Sequence, residues 1–251
     1  LLLNKDRSKL SKRQGDVAVE DYRKKGYLPE ALINFVALLG WHPGADITQE
    51  IFTLEELVEK FSLEKVHKAG AVFDIEKLDW INWQWRRKKF DALPGEMEEK
   101  LLGLCKEFLD KAWLDDPDFL KRCLATVAEK IIKDPSQAPT YLSFYFKTKV
   151  SLDEKLLASP KMKVHLSQAR ASLLESLNAL EKCGDFGDQE ELKNCLLEVV
   201  KRLGVKNGQV FWPVRVALTG EEFSPGVFEV LWALGKTKSL ERLKNILDEL
   251  P

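Results

Sequence analysis

The sequence predicts an all-α protein, on three observations. Helix start and stop signals recur along the chain, apolar residues follow them at helical spacing, and alternating β patterns of five or more residues are almost absent. The run 29–39 shows all three features. It opens on Pro29, closes on Gly40, and places Leu32, Phe35 and Leu39 on one face.

Further helices are predicted from the same signals. Residues 53–56 (TLEE) form a capping box for a short helix to about 61, and Asp74 caps a helix over about 75–90. Pro117 and Pro225 suit the first turns of later helices. The remaining helical runs are 95–114, 117–132, 140–148, 161–182, 188–203, 208–218, 225–234 and 239–249.

Composition excludes several classes of protein. The 251 residues carry a formal net charge of −1, so a polyanion would have to be held by local basic patches rather than by a global field. The four cysteines lack zinc-ligand spacing, so we expect no metal site. No segment approaches the ~20 apolar residues of a membrane span. The opening residues 1–4 (LLLN) are expected to end a buried strand of a missing preceding domain.

A basic loop occupies residues 9–13 (KLSKR), and Gly15 follows it. Lysines beside a small hydroxyl residue can close over a polyphosphate and stabilise the charge of a leaving pyrophosphate. As a bare five-residue pattern it fits a solvated basic surface loop better.

The loop resembles the KMSKS motif of class I aminoacyl-tRNA synthetases, in the form found in glutamyl-tRNA synthetases. The resemblance continues, in family order, in the segments 15–16 (GD), 20–22 (EDY), 26–32 (GYLPEAL), 37–41 (ALLGW), 51–57 (IFTLEEL), 72–78 (VFDIEKL), 213–220 (PVRVALTG), 225–231 (PGVFEVL) and 234–236 (LGK). The middle of the chain matches only in helical pattern.

This resemblance implies an ATP-dependent ligase. Lys12, supported by Lys9 and Ser11, would contact the phosphates of ATP, the substrate that enters with Mg²⁺ in the full-length enzyme. Nothing in the chain resembles the family's HIGH-type nucleotide-binding half. We therefore expect a C-terminal fragment that needs no cofactor and cannot form an adenylate by itself.

Two basic segments are candidate phosphate contacts. Three tryptophans and four consecutive cations, among them Arg86 and Arg87, lie at the end of the helix predicted over 75–90. Trp80 and one other tryptophan are expected in the core, and the cations can equally serve the helix dipole. By the resemblance, Lys130 lies where a basic residue approaches the third anticodon base, although an ordinary solvated helix surface is the alternative.

The region around the last proposed helix is the main candidate for anticodon recognition. Ser224 is predicted as the N-cap and Pro225 as the first helical residue, so free backbone amides would face a base or a phosphate. A plain helix cap with a surface arginine is the alternative. The resemblance implies that the anticodon bases are contacted by Arg215, Ser224, Pro225, Val227 and Phe228.

Together these features predict a stem-contact module over 1–70 that carries the KMSKS-like loop, and two helical anticodon-binding domains over 71–150 and 151–251. The expected partner is tRNA(Glu), with tRNA(Gln) as a second candidate, and the expected state is a bacterial cytoplasmic monomer (alternatively mitochondrial or plastid). The rival interpretations are a stand-alone RNA-binding module, a helical protein scaffold, and a glutaminyl enzyme. The last would carry β-barrel anticodon domains.

Overall fold

The structure, a computed structural model, describes residues 2–10, 18–44, 47–67, 69–184 and 186–250. Contacts divide the chain into two compact units, Leu1–Pro94 and Gly95–Pro251, called unit 1 and unit 2 below. The described residues are mostly helical with two short strands, so the predicted all-α class is confirmed. The functional division at residues 70 and 150 stays a prediction.

Unit 1 is built from four α-helices and a strand pair among its described residues. The helices are α1 (Val19–Lys24), α2 (Pro29–Leu38), α3 (Leu54–Lys60) and α4 (Ile75–Asp91), and the strands are β1 (Leu2–Leu3) and β2 (Ala71–Val72). The capping box of α3 is confirmed. The Thr53 hydroxyl accepts from the Glu56 amide at 3.2 Å, and the Glu56 carboxylate accepts from the Thr53 amide at 2.8 Å.

The core of unit 1 lies between α2 and α4. Asn34 is fully buried there, and its side-chain oxygen accepts from the Phe52 amide at 3.0 Å and from the Trp85 indole at 3.2 Å. Its amide nitrogen donates to the Glu50 carbonyl at 3.0 Å. The expectation for Trp80 is wrong: it is 39% exposed, and the buried tryptophan of α4 is Trp85. The buried partner on α2 decides which tryptophan turns inward.

The first residues form a small sheet. β1 pairs in parallel with β2, and a hairpin brings Lys9 into an antiparallel bridge with Leu3. The Lys5 ammonium lies 3.1 Å from Asp74 and 2.9 Å from Glu76, which ties the hairpin to the start of α4. The sequence predicted the end of a buried strand here. The strand is present, but it is not buried, because Leu2 is exposed.

Unit 2 is helical throughout its described residues. Its α-helices are α5 (Met97–Cys105), α6 (Pro117–Thr126), α7 (Ala128–Lys133), α8 (Ala138–Phe146), α9 (Glu154–Leu157), α10 (Leu166–Lys182), α11 (Gln189–Leu203), α12 (Asn207–Thr219) and α13 (Val227–Glu249). Short 3-10 turns connect them at Lys106–Phe108, Lys111–Asp115, Pro135–Gln137 and Pro160–Met162. The helices α10 to α13 pack on one another, and α6 packs on α13.

Four of the predicted runs differ clearly from the observed helices. The run 95–114 ends as an α-helix at Cys105 and continues as 3-10 turns. The run 117–132 breaks at Val127, where the preceding Thr126 hydroxyl donates to the Cys123 carbonyl at 2.7 Å. The two last runs are joined in α13, with a kink at Gly235, whose φ of 73° and ψ of 173° suit glycine alone.

A buried arginine connects three of these helices. Arg242 of α13 is 5% exposed, and its guanidinium donates to the carbonyls of Leu218 at 2.6 Å and of Tyr145 and Lys147 at 2.9 Å each. These carbonyls lie at the carboxyl ends of α12 and α8, where the helices leave oxygens without intrahelical partners. Arg242 thereby fixes the place where the chain leaves α12.

Candidate nucleic-acid interface

The loop between α12 and α13 is organised by Arg215. α12 ends at Gly220, which adopts the left-handed conformation with φ 71°. From the preceding turn of α12, one Nη of Arg215 donates to the Ser224 hydroxyl at 2.5 Å and the other donates to the Glu222 carbonyl at 2.8 Å. Its guanidinium lies 4.8 Å from the centre of the Trp212 ring. Arg215 therefore reaches the loop that follows α12, and its contact with the anticodon bases stays a prediction.

Ser224 and Pro225 do not have the predicted helix positions. α13 begins at Val227 with Gly226 as its N-cap, and the Glu229 carboxylate accepts from the Gly226 amide at 2.6 Å. The Ser224 hydroxyl is engaged by Arg215 and itself donates to the Pro225 carbonyl at 3.1 Å. Because that hydroxyl is held by a residue of α12, the capping role passes to Gly226 and Glu229.

The apolar pair after the loop is divided between core and surface. Val227 is 5% exposed and belongs to the core. Phe228 is half-buried and meets the Phe211 ring edge-on, with 5.1 Å between the ring centres. Of the predicted contacts, the structure therefore brings Arg215, Ser224, Pro225 and Phe228 to one partly accessible corner, with Val227 beneath it.

The electrostatics of this corner favour a polar ligand. Burial lowers the pKa of Arg215, and the nearby Glu222 opposes that shift. An arginine nevertheless stays charged in proteins. Its two bonds to the loop use two of the five N–H donors of a guanidinium, so others remain for an acceptor from outside.

Sequence reasoning missed one residue of this loop. Phe223 is 82% exposed, more than any other large hydrophobic side chain in the described ranges. The signal was available: Phe223 is an apolar residue between two glutamates and a Ser-Pro pair in a predicted loop.

The four consecutive cations of α4 all have contacts within unit 1. Arg86 donates to the Gly26 carbonyl at 2.6 Å, and Arg87 donates to Asp91 at 3.1 Å. The Lys88 ammonium lies 4.9 Å from the centre of the Trp85 ring, and Lys89 pairs with Glu30 at 2.8 Å. Arg86 is thus turned toward the loop before α2, whereas the Arg87 pair is exposed and can exchange its partner for a phosphate.

Lys130 is exposed on α7, with its ammonium 4.9 Å from the centre of the Tyr141 ring. Both α7 and the Arg215 corner belong to unit 2.

The predicted ATP loop is described only at its start. Lys9 is exposed next to β1, while Ser11 and Lys12 lie outside the described residues. Among the residues that the structure describes, no group of three or more His, Cys, Asp or Glu side chains is arranged to hold a metal ion. No described helix is long and apolar enough to cross a membrane.

Two family models match the chain, one mainly in unit 1 and the other in unit 2. Residues 100–247 match the family model described as the anticodon binding domain. Residues 1–80 match the model of class I tRNA synthetases (E and Q), catalytic domain. The Arg215 corner lies inside the first match, and Lys9 and the first turns of α4 lie inside the second.

Curated relatives and solved structures cover the chain from end to end. Glutamate–tRNA ligase of Clostridium novyi is 39% identical over 97% of this chain and 48% of its own length. The glutamate–tRNA ligase of Prosthecochloris aestuarii is 37% identical over 100% of this chain and 49% of its own length. The structure of a glutamate tRNA ligase from Elizabethkingia meningosepticum, in complex with its amino acid, superimposes with a TM-score of 0.73 at 29% identity, covering 100% of this chain and 51% of that one.

The chain spans about half the length of the curated relatives it matches. The chain therefore belongs to the anticodon-binding-domain family, and the resemblance to glutamyl-tRNA synthetases that its motifs predicted is confirmed along its length.

Proposed function

We propose that this chain is the tRNA-binding and anticodon-recognising portion of a glutamate–tRNA ligase, the enzyme that attaches glutamate to tRNA at the expense of ATP. The observation that carries the proposal is the Arg215 corner. A half-buried guanidinium holds the loop before α13 through Glu222 and Ser224, inside the segment that matches the anticodon binding domain.

The proposed partner is tRNA(Glu), and tRNA(Gln) is the second candidate. Single-stranded RNA is read from unstacked bases, by stacking and by hydrogen bonds to their edges. The Arg215 corner offers both kinds of contact, since it combines the remaining guanidinium donors and the Ser224 hydroxyl with the partly exposed Phe228 ring. Val227 would support Phe228 from below, because it is buried.

Phosphate contacts are proposed at exposed cations. Arg87 is accessible and can add a salt-dependent contribution that carries no sequence information. Lys130 is also exposed and keeps its proposed place near the third anticodon base. Arg86 is a weaker candidate than the sequence indicated, because its guanidinium already donates to the Gly26 carbonyl.

Catalysis is proposed to require the rest of the enzyme. ATP, with its Mg²⁺ ion, is a substrate of the whole ligase, and Lys9, Ser11 and Lys12 are its proposed phosphate contacts. The match of residues 1–80 to a catalytic-domain model supports a role for this segment in ATP chemistry. We expect the 251-residue chain alone to show no glutamate-dependent pyrophosphate exchange, and exchange above background would refute this.

Binding of tRNA transcripts tests the proposal. Fluorescence anisotropy would compare wild-type tRNA(Glu) with transcripts that carry one changed anticodon base, in a series of salt concentrations. We expect micromolar or tighter binding that weakens with salt and on anticodon substitution. Binding that ignores the anticodon would leave a phosphate-holding module, and no binding would refute the proposal for this chain. Sedimentation of the same sample tests the proposed monomer.

A further inference from the structure

Phe223 exposes an aromatic ring where folding alone gives no reason for it. Burying a phenylalanine side chain is favourable by about 1.5–3 kcal/mol, so a folded chain usually turns such a ring inward. Phe223 is instead 82% exposed, beside Ser224 of the Arg215 corner.

The loop that carries this ring is fixed on both sides of it. Arg215 donates to the carbonyl of Glu222, the residue before Phe223, and to the hydroxyl of Ser224, the residue after it. A single rigid guanidinium therefore brackets Phe223.

The two ends of the loop are fixed as well. At its start, the Glu221 amide donates to the Thr219 hydroxyl at 3.2 Å, and the Glu221 carboxylate pairs with Lys147 at 2.8 Å. At its end, the Gly226 amide donates to Glu229. The backbone is thus ordered before any ligand arrives, which removes an entropic cost from binding.

We propose that Phe223 is a stacking platform for an unpaired base of the bound RNA, a contact that adds affinity without selecting the base. This inference rests on the proposed function. Every nucleobase has a π-face, so stacking on an aromatic side chain tolerates any sequence. Base selection then belongs to the neighbouring hydrogen-bonding groups of Arg215 and Ser224.

The charges around Phe223 favour a base over a phosphate. Glu221 is paired with Lys147, while Glu222, the exposed residue before Phe223, carries a second carboxylate. That carboxylate repels the RNA backbone and leaves the uncharged base as the part of RNA that fits here. A protein partner is less suited, because one ring offers far less than the roughly 800 Å² per side of a stable protein interface.

Four variants of the 251-residue chain test the inference by anisotropy with tRNA(Glu) transcripts. Phe223→Ala should weaken binding about 5- to 150-fold, the range measured when a base loses its aromatic partner. Phe223→Leu should lose most of the same affinity because it lacks a ring face, and Phe223→Trp should retain it. Phe108→Ala is the matched control, since Phe108 is an exposed phenylalanine of the same unit outside the corner.

A second comparison identifies the base. In a set of transcripts that each lack one anticodon-loop base, one transcript should bind wild type and Phe223→Ala with affinities within about 2-fold. Removing that base and removing the ring abolish the same contact, so the two losses do not add. Equal affinities of wild type and Phe223→Ala for the intact transcript would overturn the inference. Full affinity of Phe223→Leu would also overturn it. So would affinity losses from Phe223→Ala and from base removal that add together for every base removed. In each case anticodon-dependent binding by the wild-type chain would leave the proposed function standing, whereas no wild-type binding would overturn both.

Discussion

Arg242 should contribute a large part of the stability of unit 2. Its guanidinium is buried and serves three carbonyl oxygens, of Leu218, Tyr145 and Lys147. Replacing it by methionine keeps much of the volume but leaves these buried acceptors without donors. Hydrogen bonds to charged groups contribute about 1.5–3 kcal/mol each, so the gross loss is about 4.5–9 kcal/mol.

Part of this loss is offset. Arg242→Met also removes a charge whose burial is costly, as its lowered pKa indicates, and that relief is of the order of several kcal/mol. We therefore expect Arg242→Met to lower the unfolding free energy of unit 2 by about 3 kcal/mol. With a urea dependence of about 2 kcal/mol per molar, the midpoint should fall by about 1.5 M.

Urea unfolding followed by circular dichroism measures this shift. Unit 1 is an internal reference, because its transition should not move. The matched control is Arg202→Met, which breaks an exposed pair with Glu175 in the same unit and should cost less than about 1 kcal/mol. A midpoint shift for Arg242→Met no larger than that of Arg202→Met would show that the buried guanidinium contributes no net stability.

Four further outcomes are expected. Arg215→Ala should weaken binding of cognate tRNA by about 1–3 kcal/mol, and unchanged affinity in the anisotropy assay would contradict its assignment. Arg87→Ala should weaken binding equally for all anticodons and reduce the salt slope by about 1; a change in anticodon preference would contradict a phosphate contact. Asn34→Leu should lower the stability of unit 1 by about 2–3 kcal/mol, measured by urea unfolding, because the buried Phe52 amide and Trp85 indole lose their partner. Burial raises the pKa of Cys105 to about 11 from 9.0, so its thiolate forms first in the unfolded chain. Its contribution to stability should be present below pH 9 and lost as pH rises toward 11, and flat midpoints across that range would contradict this.

The elements predicted from sequence were those whose determinants are local. The capping box of Thr53 and Glu56, the Asp74 cap and the first-turn Pro29 were all found, because each depends on residues within one turn. The helical character of the whole chain followed from the same signals. The helix break at Val127 was not predicted, because no proline or glycine marks it in the sequence.

The details of the candidate site depend on distant partners, which periodicity does not show. Ser224 is a residue type favoured at N-caps, but Arg215, nine positions earlier, donates a hydrogen bond to its hydroxyl. The basic run of α4 reads as a phosphate patch, yet Arg86 is turned toward Gly26, sixty positions earlier. The resemblance pointed to the segments that form this corner, because it compares whole segments rather than single contacts. It gave no sign of Phe223, which lies between the matched segments.

Two arginines of different burial fix the chain where it leaves α12, and their difference separates structure from interface. Arg242 holds the Leu218 carbonyl before Gly220 and is itself buried. Arg215 holds the Glu222 carbonyl after Gly220 and is only half-buried, with donors left over. A loop that only closed a helical bundle would need neither a second guanidinium nor an exposed ring. The pair of Arg215 and Phe223 is therefore best explained by a ligand that offers hydrogen-bond acceptors and a flat apolar face together, as an unstacked base does.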